Sequence, residues 1–351
     1  MHDQLTYADN WGEIVFGVVY DPHFSDIAPE SRKDDYITAL FDKMTHVEKD
    51  LEANGGRFLL IPGDILHKRA VSMKFLCRLV QFIRNYKFPV YGISGNHELY
   101  AGNVSMLDRT SMGVLFASGV IRRLTHLGVT AGDLSIHLRG FDFEPAFHCE
   151  TPAMDDYVEG WADEEGSFYD PSAHDEFHFD HHMAVAHGFV KKTHAAFTSH
   201  DYVNVPSFRD AGYGTLFLGH DHTIYEPEDA GGILVCRGGS LSRGTKHKYN
   251  RERGIQYHLV RVTKEGVKVE ARQIPCDPAE SVYSEQQIER EDQERVLKKL
   301  IMKFKETQTE QATREDDIFS IIDKMEAPSQ ETKDLCFKYL QEGGIVREDF
   351  A

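Results

Sequence analysis

Phe58-Leu59-Leu60-Ile61-Pro62-Gly63-Asp64-Ile65-Leu66-His67 is the stretch that decides the fold. Four apolar residues make a short buried strand, Pro62-Gly63 end it, and a carboxylate and an imidazole follow within one tight turn. The same grammar recurs four more times. Ile14 to Val19 runs into Asp21-Pro22-His23, and Val90 to Ile93 into Gly95-Asn96-His97-Glu98. Met183 to Ala186 ends at His187-Gly188, and Leu216 to Leu218 at Gly219-His220-Asp221-His222. In α/β sheets ligands gather at the carboxyl ends of strands, so five such ends can converge on one site. Residues i and i+2 of an extended segment point the same way, which lets Asp21 act with His23 and His220 with His222. Mixed His, Asp and Asn donors suit Mn²⁺, Fe²⁺ or Zn²⁺ better than Ca²⁺.

Between these strands lie helical patterns. Ile37, Leu40, Phe41, Met44, Val47 and Leu51 recur at helical spacing within 31–53, and Gly55-Gly56 supply a stop. Ser72 to Tyr86 carries Met73, Leu76, Leu79, Val80 and Ile83 on one face. Leu134 to Phe141 alternates apolar and polar residues and predicts a half-exposed strand. Ile233 to Cys236 and Gln256 to Val262 read as a closing antiparallel pair, with Val267 to Gln273 as a further strand. The class is α/β, and the first 275 residues form one domain.

The charge is uneven. The 351 residues carry 39 Lys and Arg against 57 Asp and Glu, a net of −18, which argues against a chain that coats nucleic acid unaided. Residues 142–182 hold 13 of the acids with no Lys or Arg, and 277–351 hold 19 acids against 11 bases. The rest is close to neutral, so a polyanionic substrate is not excluded. The acidic stretch 144–182 lacks periodicity and reads as a surface insertion. Its His174, His178, His181 and His182 suit a solvated loop better than a further metal. Past Pro275 and Pro278 the pattern turns helical, so 276–351 is expected to be a helical C-terminal region. No apolar run reaches the ~18–20 residues of a bilayer span, and no basic-then-apolar signal follows Met1. Five cysteines without CxxC spacing point to a reducing, cytoplasmic setting.

Together the five motifs resemble the calcineurin-like metallophosphoesterases, over Ile14 to about Ile274. The resemblance implies a layered β-sandwich flanked by helices. It implies one metal held by Asp21, His23, Asp64 and His222, and another by Asp64, Asn96, His187 and His220, with Asp64 shared. Two divalent ions outweigh two carboxylates, so such a site attracts a phosphoester anion, and paired ions clamp the attacking and leaving oxygens of an in-line displacement. His97, beside Asn96, is the candidate to stabilise charge or protonate the leaving oxygen. The Gly-Asp-x-x-His at Gly63–His67 is similar to that of the SbcD-type DNA-repair nucleases, in which this histidine contacts the scissile region; for His67 the alternative is a solvent-facing loop histidine. Glu98 departs from the Asp usual in those nucleases after Asn-His and is not an expected ligand.

Arg237, Arg243, Lys246, Lys248, Arg251 and Arg253 crowd the segment after the last motif. They read either as a grip on substrate phosphates or as an ordinary basic hairpin. The resemblance further implies a Mn²⁺-dependent exo- or endonuclease acting on DNA with an SbcC-like coiled-coil ATPase, onto which the helical tail would dock. Family members often dimerise through their early helices; here Met73 to Ile83 suits a core face equally well. Two alternatives stay open: a metallophosphoesterase for small nucleotides, phosphodiesters or phosphoproteins, and a non-catalytic scaffold built on the same body.

Overall fold

Along Ile14–Val18, Ile14, Phe16 and Val18 face one apolar cluster and Val15 another, so this strand is covered on both sides. Phe58 and Leu60 join the first cluster while Leu59 and Ile61 join the second. That is why the run is apolar throughout rather than alternating: each face of the pleat meets a different packed layer. The computed structural model describes residues 2–7, 12–144, 179–190, 202–244, 248–284, 330, 333 and 334.

In chain order the strands are β1 (His2–Tyr7), β2 (Ile14–Val18), β3 (Leu59–Ile61), β4 (Val90–Gly92), β5 (Arg122–Arg123), β6 (His126–Ala131), β7 (Leu134–Gly140) and β8 (His181–His187). They continue as β9 (Phe189–Val190), β10 (Tyr202–Val203), β11 (Thr215–Gly219), β12 (Glu228–Asp229), β13 (Leu234–Cys236), β14 (Ile255–Thr263) and β15 (Gly266–Ile274). The helices are α1 (Tyr36–Ala53), α2 (Met73–Arg84), α3 (Ser111–Ala117), α4 (Val205–Asp210), α5 (Lys248–Glu252) and α6 (Ala279–Val282).

Two sheets form the centre. One has six strands in the order β15-β14-β2-β3-β4-β5, and the other seven in the order β1-β6-β7-β8-β11-β13-β12. Strands β2, β3, β4 and β5 run parallel, as do β8, β11 and β13. The sheets meet through Phe16, Phe58 and Tyr91 on one side and Leu127, Ile136, Met183 and Phe217 on the other. Phe16 stacks on Phe58 at 4.7 Å and meets Phe217 edge-on at 5.8 Å. On the outer face of the six-stranded sheet lie Leu40, Met44, Val47 and Leu51 of α1, with Phe75, Leu76 and Leu79 of α2. Against the other outer face pack Val205 and Phe208 of α4 with Tyr213. The chain is therefore an α/β sandwich of two sheets flanked by helices.

Local signals set the helix ends. Asp35 caps α1 by accepting from the Thr38 N–H at 3.1 Å, so the helix starts at Tyr36 rather than at Ser31. Ser72 caps α2 through the Phe75 N–H at 3.4 Å.

Three expectations change. β13 and β14 do not pair: β13 lies beside β11 in the seven-stranded sheet, whereas β14 pairs with β2 and β15 in the other. Leu134–Gly140 is an interior strand with most of its residues buried, because its polar positions also face packed layers; His137 is fully buried. His181 and His182 belong to β8 and not to a surface loop. His2–Tyr7 forms a parallel edge strand against β6, which its polar sequence did not suggest. Residues 279–284 stay on the body: Tyr283 bridges to Arg32 and its hydroxyl donates to the Arg243 carbonyl at 2.9 Å. The expected surface insertion (bar its ends) and the helical C-terminal region lie largely outside the described residues.

Candidate metal centre

The polar residues that follow β2, β3 and β4 of one sheet meet those that follow β8 and β11 of the other. Among the described residues five non-glycine residues have positive φ, and four of them are Asp21 (φ 43°), His23 (φ 49°), Asp64 (φ 46°) and His220 (φ 88°). Such backbone is unfavourable for these side chains, and its concentration at one spot marks a place where geometry is imposed by the surroundings.

Asp21, His23, Asp64 and His222 each bring a donor atom within 4.8 Å of the others, as do Asp64, His187 and His220. Asp64 belongs to both groups. Its Oδ2 lies 3.6 Å from His23 Nε2 and 3.4 Å from His187 Nε2, while Oδ1 accepts from the His97 N–H at 3.0 Å. Asn96 Oδ1 sits 3.1 Å from both His187 Nε2 and His220 Nδ1. His187 donates from Nδ1 to the Pro62 carbonyl at 2.8 Å, which turns Nε2 toward Asp64 and Asn96.

Two features fit this centre to cations. Asp21 Oδ2 is buried without a hydrogen-bond partner. His23 Nε2 and His222 Nε2 lie only 2.9 Å apart, a spacing natural for two ligands of one ion. The donor set of imidazoles, carboxylates and one amide is that of borderline divalent metals.

Burial keeps three of the histidines in the form that ligates. Burial, followed by repulsion from other histidines, pushes His220 down to about 3, and burial pushes His222 down to about 4. His23 is lowered too, again chiefly by burial, so all three are neutral at pH 7, the form that ligates. Burial pushes the Asp21 carboxyl up to about 7. Burial opposes a charge on His187, but Asp64 and Asp21 outweigh it and push the imidazole up to about 9. Burial would raise Asp64 as well, yet His187 and His23 hold it far below the usual carboxylate range.

Glycines make room for these contacts. A Cβ on Gly95 would lie 2.2 Å from Asp64 Oδ1, and one on Gly63 (φ 86°) 2.4 Å from His187 Nδ1.

His67 and His97 stand on the rim. His97 Nδ1 donates to the His67 carbonyl at 2.8 Å, and its Nε2 is 3.9 Å from Asp64 Oδ2 with 35 % of the side chain exposed. His67 Nδ1 lies 3.4 Å from His23 Nδ1, so this residue lines the centre instead of facing solvent from a distant loop. His23, His67 and His97 also bring one nitrogen each within 4.8 Å of one another.

Glu98 has a role the spacing did not reveal. It is fully buried, and its carboxylate accepts from Leu66 N–H at 2.6 Å and Gly95 N–H at 2.7 Å. It thereby ties the turn after β3 to the turn after β4. Asp142 does a similar task for the end of β4, accepting from Ser94 N–H at 2.6 Å.

In the basic segment the phosphate-grip reading is corrected for Arg237, Arg243 and Arg253. Arg237 is buried, ion-paired with Glu228 and seated over the Tyr225 ring at 3.7 Å. Arg243 is buried and donates to the Asp277 carbonyl, and Arg253 is buried against Asn250 Oδ1 at 2.7 Å and the Ser242 carbonyl at 2.5 Å. These three guanidiniums brace the chain and do not present themselves to a substrate. Arg251 is half-buried on α5; Lys246 and the Lys248 side chain lie outside the described residues.

A family model described as calcineurin-like phosphoesterase matches residues 18–223. No curated protein matches the chain significantly. Among solved structures, the chain is similar to GAP50, the anchor in the inner membrane complex of Plasmodium, with 12% identity over 77% of this chain and 90% of that one and a TM-score of 0.42. It is similar to the sulfate thiohydrolase SoxB of Thermus thermophilus, solved with glycerol, at 14% identity over 82% and 59% of the two chains and a TM-score of 0.39. A novel archaeal phosphodiesterase gives 10% identity over 74% of this chain and all of that one, with a TM-score of 0.34.

Proposed function

The chain belongs to the calcineurin-like phosphoesterase family, a metal-dependent group of hydrolases, and from that premise we propose a two-metal phosphodiesterase acting on DNA as a nuclease of SbcD type. The observation that carries this reading is the sharing of Asp64 by two separate ligand groups. Asp21, His23 and His222 would complete the first with Asp64, and Asn96, His187 and His220 the second. Mn²⁺ is the ion we favour; when bound, the pair supplies Lewis-acid activation of the phosphoester and of the attacking water.

The chain's own groups do the rest. Asp64 holds the two halves in register. The Pro62 carbonyl fixes His187 with Nε2 turned inward. His97 keeps its proton on Nδ1 against the His67 carbonyl, so that Nε2, when protonated, can deliver a proton to the leaving oxygen. His67 lines the rim next to His23 and is suited to contact the phosphate beside the scissile bond. With a net charge of −18, this chain would draw most of its DNA affinity from a partner, and we propose an SbcC-like ATPase for that part. The free thiols of Cys77, Cys236 and Cys276 suit a cytoplasmic site of action.

The test is a parallel assay, with Mn²⁺, of linear DNA, a cyclic nucleotide, a chromogenic phosphodiester and a phosphopeptide. We expect cleavage of DNA and of the chromogenic ester, and loss of both in Asp64→Ala. Turnover of the cyclic nucleotide or phosphopeptide with DNA untouched would move the assignment to another branch of the family. Full DNA cleavage by Asp64→Ala would overturn it.

A further inference from the structure

Two loops run side by side out of the centre, and they carry matched pairs. At the rim His67 and His97 lie with ring centroids 5.1 Å apart. Two residues beyond the first and three beyond the second, the Arg69 guanidinium sits over the Tyr100 ring at 4.5 Å. At most ~3.5 Å of chain per residue, the Arg69 Cα lies within about 7 Å of the His67 Cα and the Tyr100 Cα within about 10 Å of the His97 Cα. Both members are exposed, Tyr100 by 38%.

Their backbones are fixed although their side chains face water. The Arg69 carbonyl accepts from Ser111 N–H at 2.8 Å, and Ser111 Oγ accepts from Val71 N–H at 3.1 Å, so Arg69 is pinned to the start of α3. Tyr100 opens a tight turn closed by Asn103 N–H on the Tyr100 carbonyl at 2.9 Å, with Ala101 at φ 50°. An exposed aromatic ring on a rigid turn with a guanidinium plane upon it offers flat, preorganised surface of the kind on which nucleobases stack. Lys68, exposed between His67 and Arg69, adds positive charge for the adjoining phosphate.

We propose that the Arg69–Tyr100 pair is a nucleobase platform, on which a base flanking the scissile phosphate stacks. The inference rests on the phosphodiesterase reading and names its substrate class, a base-bearing nucleic-acid strand. It also accounts for DNA use without the buried arginines of the basic segment: recognition comes from stacking beside His67 and His97.

The experiment compares two single-stranded oligonucleotides of equal length and charge, one with its bases and one abasic at the positions around the cut, using the Mn²⁺-loaded protein. Stacking on an aromatic residue predicts a KM roughly tenfold lower for the base-bearing strand in wild type. Tyr100→Ala should bring the two KM values together, Tyr100→Trp should keep them apart, and Arg69→Ala should narrow the gap. Equal KM values in wild type, or an undiminished gap in a folded Tyr100→Ala, would overturn the platform. If Tyr100→Ala does not fold, Arg69→Ala decides alone, and an unchanged gap counts against the proposal. Hydrolysis of bis(p-nitrophenyl) phosphate by wild type separates the two readings. Its absence sinks the phosphodiesterase assignment, whereas its presence without any preference for bases sinks only the platform.

Discussion

His97 and Gly95 show how single residues set the chemistry. His97 offers Nε2 toward the rim while its Nδ1 is held by a carbonyl, so His97→Gln removes a proton donor without removing a ligand. We expect kcat to fall by about 10²-fold or more, with bound metal, measured by elemental analysis, unchanged. An undiminished kcat would remove His97 from the chemistry. Gly95→Ala acts differently: the new methyl would lie 2.2 Å from Asp64 Oδ1 and 2.4 Å from Asp64 N, so the shared carboxylate must move. Calorimetric titration should show Mn²⁺ affinity at least about tenfold weaker, since misplacing a ligand or its supporting groups costs that much; an isotherm that superimposes on wild type would contradict the geometry. At this scale the sequence was informative where a ligand-type residue closes an apolar run, as at Asp21, Asp64 and His187. It did not show what Glu98 holds, because its partners are backbone N–H groups of two different loops, and it left Arg237 and Arg243 open between a phosphate grip and an ordinary basic hairpin. A cluster of arginines reads alike whether the guanidiniums face solvent or backbone carbonyls; only packing tells the two apart.

Helix α1 carries a similar surprise. Its inner face is apolar except for Lys43, which is buried and donates to the Leu241 carbonyl at 3.2 Å. Burial first, and then Arg32, Arg243 and Arg253 around it, push this amine from its ordinary 10.5 down to about 7, with the Cys276 thiol opposing. The unfolded chain therefore binds a proton that the folded chain gives up between those values. The stability Lys43 contributes is fully present above about pH 10.5 and is lost as the pH falls to about 7. Lys43→Met should flatten the rise in the urea midpoint between pH 7 and pH 9; an unchanged slope would mean another group titrates there. The position of α1 was legible from its 3.6-residue repeat; its start was not, since the spacing reached back to Ser31 and the Asp35 cap sets it at Tyr36. The partnering of β13 and β14 was not, because a three-residue apolar run carries no mark of which sheet it joins.

For the whole molecule, the decisive feature is that the ligands come from two sheets. Strands β2, β3 and β4 deliver Asp21, His23, Asp64 and Asn96, while β8 and β11 deliver His187, His220 and His222. The aromatic seam of Phe16, Phe58 and Phe217 sets how those two sheets face each other, so the centre depends on the packing between the layers. Sequence alone gave the strand ends and not the sandwich geometry that joins them, since that depends on side chains more than 150 residues apart, such as Phe58 and Phe217. The most direct test is anomalous diffraction from a crystal soaked in Mn²⁺. Two peaks some ~3.5–4 Å apart on either side of Asp64 are predicted, one among Asp21, His23 and His222 and the other among Asn96, His187 and His220. A difference map with no peak beside Asp64, or a single ion that leaves either ligand group unengaged, would contradict the account.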